Sequence, residues 1–285
     1  MKTRLFSLMT VIVLLLCSVS SVGAITWTPL DLPRPLEITD ISGSNIVTAG
    51  GVYNLDSQVW TTIDYPGASS TSILGIEGSD LVGYYISDSG QHGFFYDGTT
   101  WTTRDFPGAS STSIYGIDGS SIVGSYEISG CNYHGFLYDG TTWTTLDFPG
   151  ASRTEIRSID GSNIVGWYES ISGRYGFVYD GTTWTSLNFP GANNEAIWGI
   201  DGRNIVGSAG GHGVIYNLDS QNWATLDFPE VSSTYIRGID GDNIVGLYED
   251  ASGYYHGFIA TIPEPASVFL VIVGAGLLRL HNRKR

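Results

Sequence analysis

Residues 114–150 read IYGIDGSSIVGSYEISGCNYHGFLYDGTTWTTLDFPG. Four short phrases lie in this stretch: I-Y-G-I-D, S-I-V-G, H-G-F-L-Y and W-T-T-L-D-F. Each is rich in β-branched and aromatic residues and is bounded by glycine, aspartate, serine or proline, which is strand composition with turn punctuation. Asp118-Gly119-Ser120 and Asp139-Gly140-Thr141-Thr142 are hairpin signals. The sequence therefore predicts a four-stranded meander, strands A to D, followed by a crossing over Pro149-Gly150-Ala151-Ser152-Arg153-Thr154.

The stretch recurs. Trp27, Trp60, Trp101, Trp143, Trp184 and Trp223 each open a version of the last phrase, 33, 41, 42, 41 and 39 residues apart. The first phrase returns at Ile38, Ile73, Ile156, Ile197 and Ile236. Self-similarity at this period, four strands to a unit of about 40 residues, is the arithmetic of a propeller blade. The sixth unit, from Ile236, stops after His256-Gly257-Phe258-Ile259 and lacks strand D. Residues 25–32 are a strand D with no unit of their own. Joining the two predicts an all-β fold, a six-bladed β-propeller closed by the N-terminal strand, which hides the edges an open array would expose.

Composition narrows the function. Between residues 25 and 263, seven arginines and no lysine stand against 27 acids, a net of −20. Such a body repels phosphate backbones, so no nucleic-acid partner is expected. Aromatic residues at 13% and charged residues at 14% argue against disorder.

The ends read as addresses. Met1-Lys2-Thr3-Arg4, the apolar run from Leu5 to Val19 and the small residues up to Ala24 form a secretory signal peptide over residues 1–24. Export leaves Cys131 as the one cysteine, with no intrachain disulfide. After the propeller, residues 25–261, the segment 262–285 carries Pro263-Glu264-Pro265, an apolar run from Ala266 to Leu278, and Arg279, Arg283, Lys284 and Arg285. That order resembles the PEP-CTERM sorting signal of Gram-negative bacteria. The resemblance implies a short transmembrane helix with a basic cytoplasmic end and recognition by exosortase, a membrane-embedded transpeptidase-like enzyme. It implies anchoring in the inner membrane before processing, then delivery to the cell surface or the extracellular matrix of a biofilm. His92-Gly93-Phe94, His134-Gly135-Phe136 and His256-Gly257-Phe258 resemble the HAF extracellular repeat, with glycine for alanine; that family implies no chemistry.

Candidate functional residues come from comparing the units with one another. The histidines at 92, 134, 212 and 256 fall one per unit, so a ring spreads them apart and favours a framework role over a zinc site or a catalytic triad. No metal site is expected, although the acids Glu77, Asp118, Asp160, Asp201 and Asp240, which end the inner strands, leave Ca²⁺ as a weak possibility beside their role in Asp-Gly turns. The second position of the I-x-G-I-D phrase varies: Thr39, Leu74, Tyr115, Arg157, Trp198, Arg237. The residue before that isoleucine varies as well: Glu37, Ser72, Ser113, Glu155, Ala196, Tyr235. Both positions belong to the face that carries the longer loops, where binding usually sits. Tyr115, Arg157, Trp198, Tyr235 and Arg237 form the expected ligand patch, suited to polysaccharide. No catalytic signature is present, so a non-enzymatic surface or matrix protein is expected. The alternative is an exported polysaccharide hydrolase or lyase using Glu37 and Glu155 as its carboxylate pair.

Overall fold

The computed structural model describes residues 24–32, 38–128, 132–192 and 195–262. The chain opens on β1 (Thr26–Leu30). The first repeat is β2 (Ile38–Ser42), β3 (Asn45–Thr48), β4 (Gly51–Asn54) and β5 (Val59–Thr62); the second is β6 (Ser70–Glu77), β7 (Asp80–Ser87), β8 (Gly90–Tyr96) and β9 (Trp101–Thr103). The third is β10 (Ser111–Asp118), β11 (Ser121–Ile128), β12 (Asn132–Tyr138) and β13 (Trp143–Thr145), and the fourth is β14 (Arg153–Asp160), β15 (Asn163–Ser170), β16 (Gly173–Tyr179) and β17 (Trp184–Leu187). The fifth is β18 (Glu195–Asp201), β19 (Asn204–Ala209), β20 (His212–Asn217) and β21 (Asn222–Thr225); the chain ends on β22 (Ser233–Asp240), β23 (Asn243–Glu249) and β24 (Tyr255–Thr261).

The A strands β2, β6, β10, β14, β18 and β22 contact one another in cyclic order, β22 closing onto β2. β1 pairs antiparallel with β24, from Thr26 opposite Thr261 to Leu30 opposite Gly257. The opening strand thus completes the last sheet, as the sequence predicts. As the outermost strand it tolerates Pro29, which has no N–H to give a ladder.

The expected fold class needs two corrections. Six separate blades flanked by a membrane helix were expected; four blades stand as separate four-stranded sheets, and β6 to β13 form one eight-stranded sheet. The two middle repeats are joined where Ser111 pairs in parallel with Gln91, and Gln91 Nε2 donates to Ser113 Oγ at 2.7 Å along the same seam. No helix occurs among the described residues, and none is long and apolar enough to cross a membrane. The expected signal peptide, the Pro263-Glu264-Pro265 segment and Cys131 lie outside the described residues.

The Phe-Pro phrase holds neighbouring repeats together. Phe106 leaves β9 and stacks on Tyr126 of the next repeat at 3.7 Å, with Phe136 and Trp143 around it. Phe148 repeats this against Tyr168 at 3.7 Å, and Phe228 against Tyr248 at 4.0 Å. Tyr65 plays the same part on Tyr85 at 3.7 Å. The preceding aspartate fastens the phrase to its own sheet: Asp105 accepts from Gly93 N at 2.9 Å and binds His92 Nδ1 at 2.7 Å. Thr112 Oγ1 then takes the Phe106 N–H at 3.1 Å. Each ring pair adds about 0.5–1.5 kcal/mol beyond the area it buries.

Closure uses the same joint. Phe228 crosses into the last sheet and meets Trp27 of β1 at 5.6 Å, while Trp27 also packs on Phe258 at 5.2 Å. Trp27→Ala is expected to lower stability by about 3 kcal/mol through the cavity it leaves, measured by urea unfolding. A loss under about 0.5 kcal/mol would mean that β1 does not close the ring.

Candidate functional site

The two ends of the central channel differ, because the A strands carry a bulge. In every repeat the A–B register slips by one residue across the second position of the first phrase, as between Ile114 and Gly116. The extra residues are Thr39, Leu74, Tyr115, Arg157, Trp198 and Arg237. A bulge leaves its residue out of the ladder and re-aims the side chain. Here all six line one mouth of the channel around a cavity of about 200 Å³. The bulge also explains the glycine of the second phrase: a Cβ on Gly124 would lie 2.0 Å from the Ser113 carbonyl oxygen.

Four of these residues form a ladder of rings and cations. Arg157 lies 4.1 Å from the centroid of Tyr115 and 4.5 Å from that of Trp198; Arg237 covers Trp198 at 4.0 Å. Thr39 and Leu74 leave the other side of the mouth open. Tyr235 does not reach the channel. It joins Trp198, Arg237 and Arg174 around a neighbouring recess of about 440 Å³, floored by Ala196, Ser208 and the Ala209-Gly210-Gly211 turn. The recess exists because β19 ends two residues short of its counterpart β15, with six residues against eight. At ~3.3 Å per residue that hairpin stands about 7 Å lower than its neighbour.

A layer behind the ladder escapes the sequence reading. Glu155 is only 2% exposed and is held by both Arg153 and Arg157. Trp167, also buried, supports Arg174 at 4.0 Å and Arg153 at 5.1 Å. The signal was available, since the residue after the second phrase varies as widely as the bulge: Ala49, Tyr84, Ser125, Trp167, Ser208, Leu247. Glu155 is thus occupied as a counter-ion rather than presented to a substrate, and Glu37 lies outside the described residues.

At the far mouth the acids form a ring of hydrogen bonds between repeats. Glu77 accepts from Gly119 N, Asp118 from Gly161 N, Asp160 from Gly202 N, Asp201 from Gly241 N and Asp240 from Gly43 N; Ser42 Oγ accepts from Gly78 N at 3.0 Å. Each repeat's last A-strand residue therefore caps the turn of the next. Among the described residues no three His, Cys, Asp or Glu side chains assemble as a metal site.

His92, His134 and His212 bind Asp105, Asp147 and Asp227 through Nδ1, and His256 binds Asp250 through Nε2. His92 Nε2 also meets Ser89 Oγ at 2.8 Å, which makes one Ser89–His92–Asp105 line. The same His–Asp contact ties strand C to the segment after strand D in the third and fifth repeats.

Asp40 stands where four other repeats have glycine, and its side chain enters the channel. It accepts from Ile41 N at 2.9 Å and Ile76 N at 3.3 Å. Burial, with the nearby Asp240 carboxylate, pushes its pKa up to about 7. Asp201 is raised by burial too, and by Asp160 and Asp240.

Neither protein-family models nor curated proteins match the sequence. Among solved structures the chain is similar to TolB from Acinetobacter baumannii, with TM-score 0.50 and 13% identity over 77% of this chain and 60% of that one. It is similar to the SapL1 lectin, solved in complex with alpha methyl fucoside, with TM-score 0.50 and 14% identity over 81% and 97%. This chain covers less than two thirds of TolB. Likeness at these identities shows the fold, and the fold is a β-propeller.

Because burial raises the folded pKa of Asp40 above its unfolded value, folding favours its protonated form. Stability falls as pH rises from about 4 and levels off above about 7. Asp40→Asn removes this component. The melting temperature of the variant relative to wild type is expected to climb by roughly 5–10 °C between pH 4.5 and 7.5. Parallel melting curves across that range would show that Asp40 ionises freely.

Proposed function

We propose that the protein is an exported, non-catalytic propeller that binds polysaccharide at the bulge-lined mouth. The observation that carries this reading is the Tyr115–Arg157–Trp198–Arg237 ladder bordering an open cavity. Flat aromatic faces suit the C–H faces of sugars, and guanidinium edges suit their hydroxyl and acidic groups. Exposed Ile86, Ile128, Ile171, Tyr254 and Tyr255 stand on the surrounding B–C hairpins and extend the apolar rim. The SapL1 lectin, solved in complex with alpha methyl fucoside, is an example of saccharide held by a fold of this kind.

The direction of the chain supports a surface role. β24 runs away from the ligand mouth, and Thr261 pairs with Thr26 near the acid-ringed end. The described chain therefore ends, at Ile262, on the face opposite the ladder. A sorting segment at Pro263-Glu264-Pro265, recognised by an exosortase, would hold the ligand mouth away from its attachment.

The test is a glycan array and affinity electrophoresis against polysaccharide from the producing cell. Wild type is expected to be retained, and Trp198→Ala, which removes the shared ring of the ladder, to lose about tenfold or more of its affinity. Retention equal in both would contradict the placement of the site.

A further inference from the structure

We infer that the mouth and the recess beside it form one groove across Trp198, which binds a chain of carboxylate-bearing sugars at least two residues long. The inference rests on the reading of this face as saccharide-binding and names the class of saccharide.

Continuity comes first. Trp198 and Arg237 line both cavities, about 200 Å³ and 440 Å³. A single sugar ring fits one of them and leaves the other to water. A chain laid over Trp198 occupies both, with the low β19–β20 hairpin as its exit and Tyr235 as the far wall.

The acidic character follows from an imbalance of donors. Among the described residues, the buried side-chain nitrogens without a hydrogen-bond partner are Arg153 Nε, Arg157 Nε, Arg174 Nε, Trp167 Nε1 and Trp198 Nε1. All five lie in this one cluster; one buried acceptor also lacks a partner, Glu195 Oε2. These atoms are closed to solvent, so a ligand meets the accessible parts of the same arginines: the side chains of Arg153, Arg157 and Arg174 are 33%, 16% and 34% exposed. Two carboxylates of the cluster are already engaged, Glu155 by Arg153 and Arg157 and Glu169 by Arg174 at 3.0 Å. Four of the seven arginines between residues 25 and 263 are gathered here, on a body of net charge −20. Neutral sugars bring an O–H donor with every hydroxyl, and that donor has no acceptor to meet among guanidinium groups. A carboxylate brings acceptors only, and its planar pair of oxygens matches the guanidinium edge. The site thus supplies what a uronate chain lacks and needs what it carries.

The experiment is calorimetry on the full chain with four probes: a tetramer of galacturonate, galacturonic acid itself, a neutral tetramer of glucose and a sulfated tetramer. The galacturonate tetramer is expected to bind at least about tenfold tighter than the monosaccharide and the neutral tetramer, with affinity falling as salt is raised. Arg237→Gln should lower its affinity about tenfold or more while the variant stays folded, as read from its circular dichroism. Ser208→Phe, which fills the recess, should reduce the tetramer to the affinity of the monosaccharide. Equal binding of neutral and acidic tetramers would overturn the acidic assignment while leaving saccharide binding intact. Tighter binding of the sulfated chain would overturn the carboxylate. Equal affinity of monosaccharide and tetramer, or no effect of Ser208→Phe, would overturn the groove. No binding of any saccharide would remove the underlying reading as well.

Discussion

Aromatic rings at five of the six joints, with Leu32 at the sixth, make the ring of sheets possible. The ring before the proline leaves its own repeat and packs on aromatic side chains of the next, as Phe106 does among Tyr126, Phe136 and Trp143 and Phe189 does on Trp223. Its neighbours fix it from both sides. At Phe106 the aspartate before it is tied to strand C of its own sheet, and the threonine six residues on takes its backbone N–H. A sheet alone exposes both faces to water, so burial between repeats supplies the driving force. At the hub, the A-strand acids add a second link, each accepting from the turn glycine of the next repeat. A ligand face can vary over such a frame because none of these joints uses the bulged residues.

The bulge is what separates frame from function. Isoleucines on either side of it stay in the core, as Ile114 and Ile117 do, while Tyr115 between them is turned into the mouth. Six different side chains can therefore occupy one structural position without disturbing the packing. In four consecutive repeats they alternate ring and cation, and the buried Glu155 with Trp167 braces that arc from behind. Breaking a buried ion pair by removing one partner is costly, about 3–5 kcal/mol, so the arginine ladder is held rigid before any ligand arrives. At the opposite mouth the lining is acidic. The channel thus presents guanidinium groups at one end and carboxylates at the other.

Much of this was legible in the sequence, for a physical reason: repetition exposes which positions the frame needs. The four-strand phrases, the missing strand D and its replacement by residues 25–32 follow from counting units, and β1 pairs with β24 accordingly. Internal variation singled out the bulge positions, although the bulge itself could not be seen. What failed was anything set by a single local contact. The seam between Gln91 and Ser111 merges two blades through one bridging pair, and no composition rule signals that. The acids at the hub read as ordinary Asp-Gly turns, because a hydrogen bond to the next repeat leaves no mark within a repeat. Glu155 looked like a surface carboxylate because its position is a tolerant one in other repeats, and only the adjacent Arg153 and Arg157 bury it. Tyr235 was grouped with the mouth because it lies two residues from Arg237 on one strand, yet the bulge between Ile236 and Gly238 re-aims Arg237 into the channel and leaves Tyr235 on the recess.

The central claim is that the chain is closed by its own opening strand, which gives the ligand mouth its fixed shape. Hydrogen exchange on the native protein tests this most directly, by following the amides of Thr26, Trp27, Thr28 and Leu30 alongside those of β23 and β24. Closure predicts protection of the β1 amides that enter the ladder comparable to that of their partners on β24, lost together with the rest in global unfolding. Exchange of β1 at the rate of a free chain, while β23 and β24 stay protected, would contradict it.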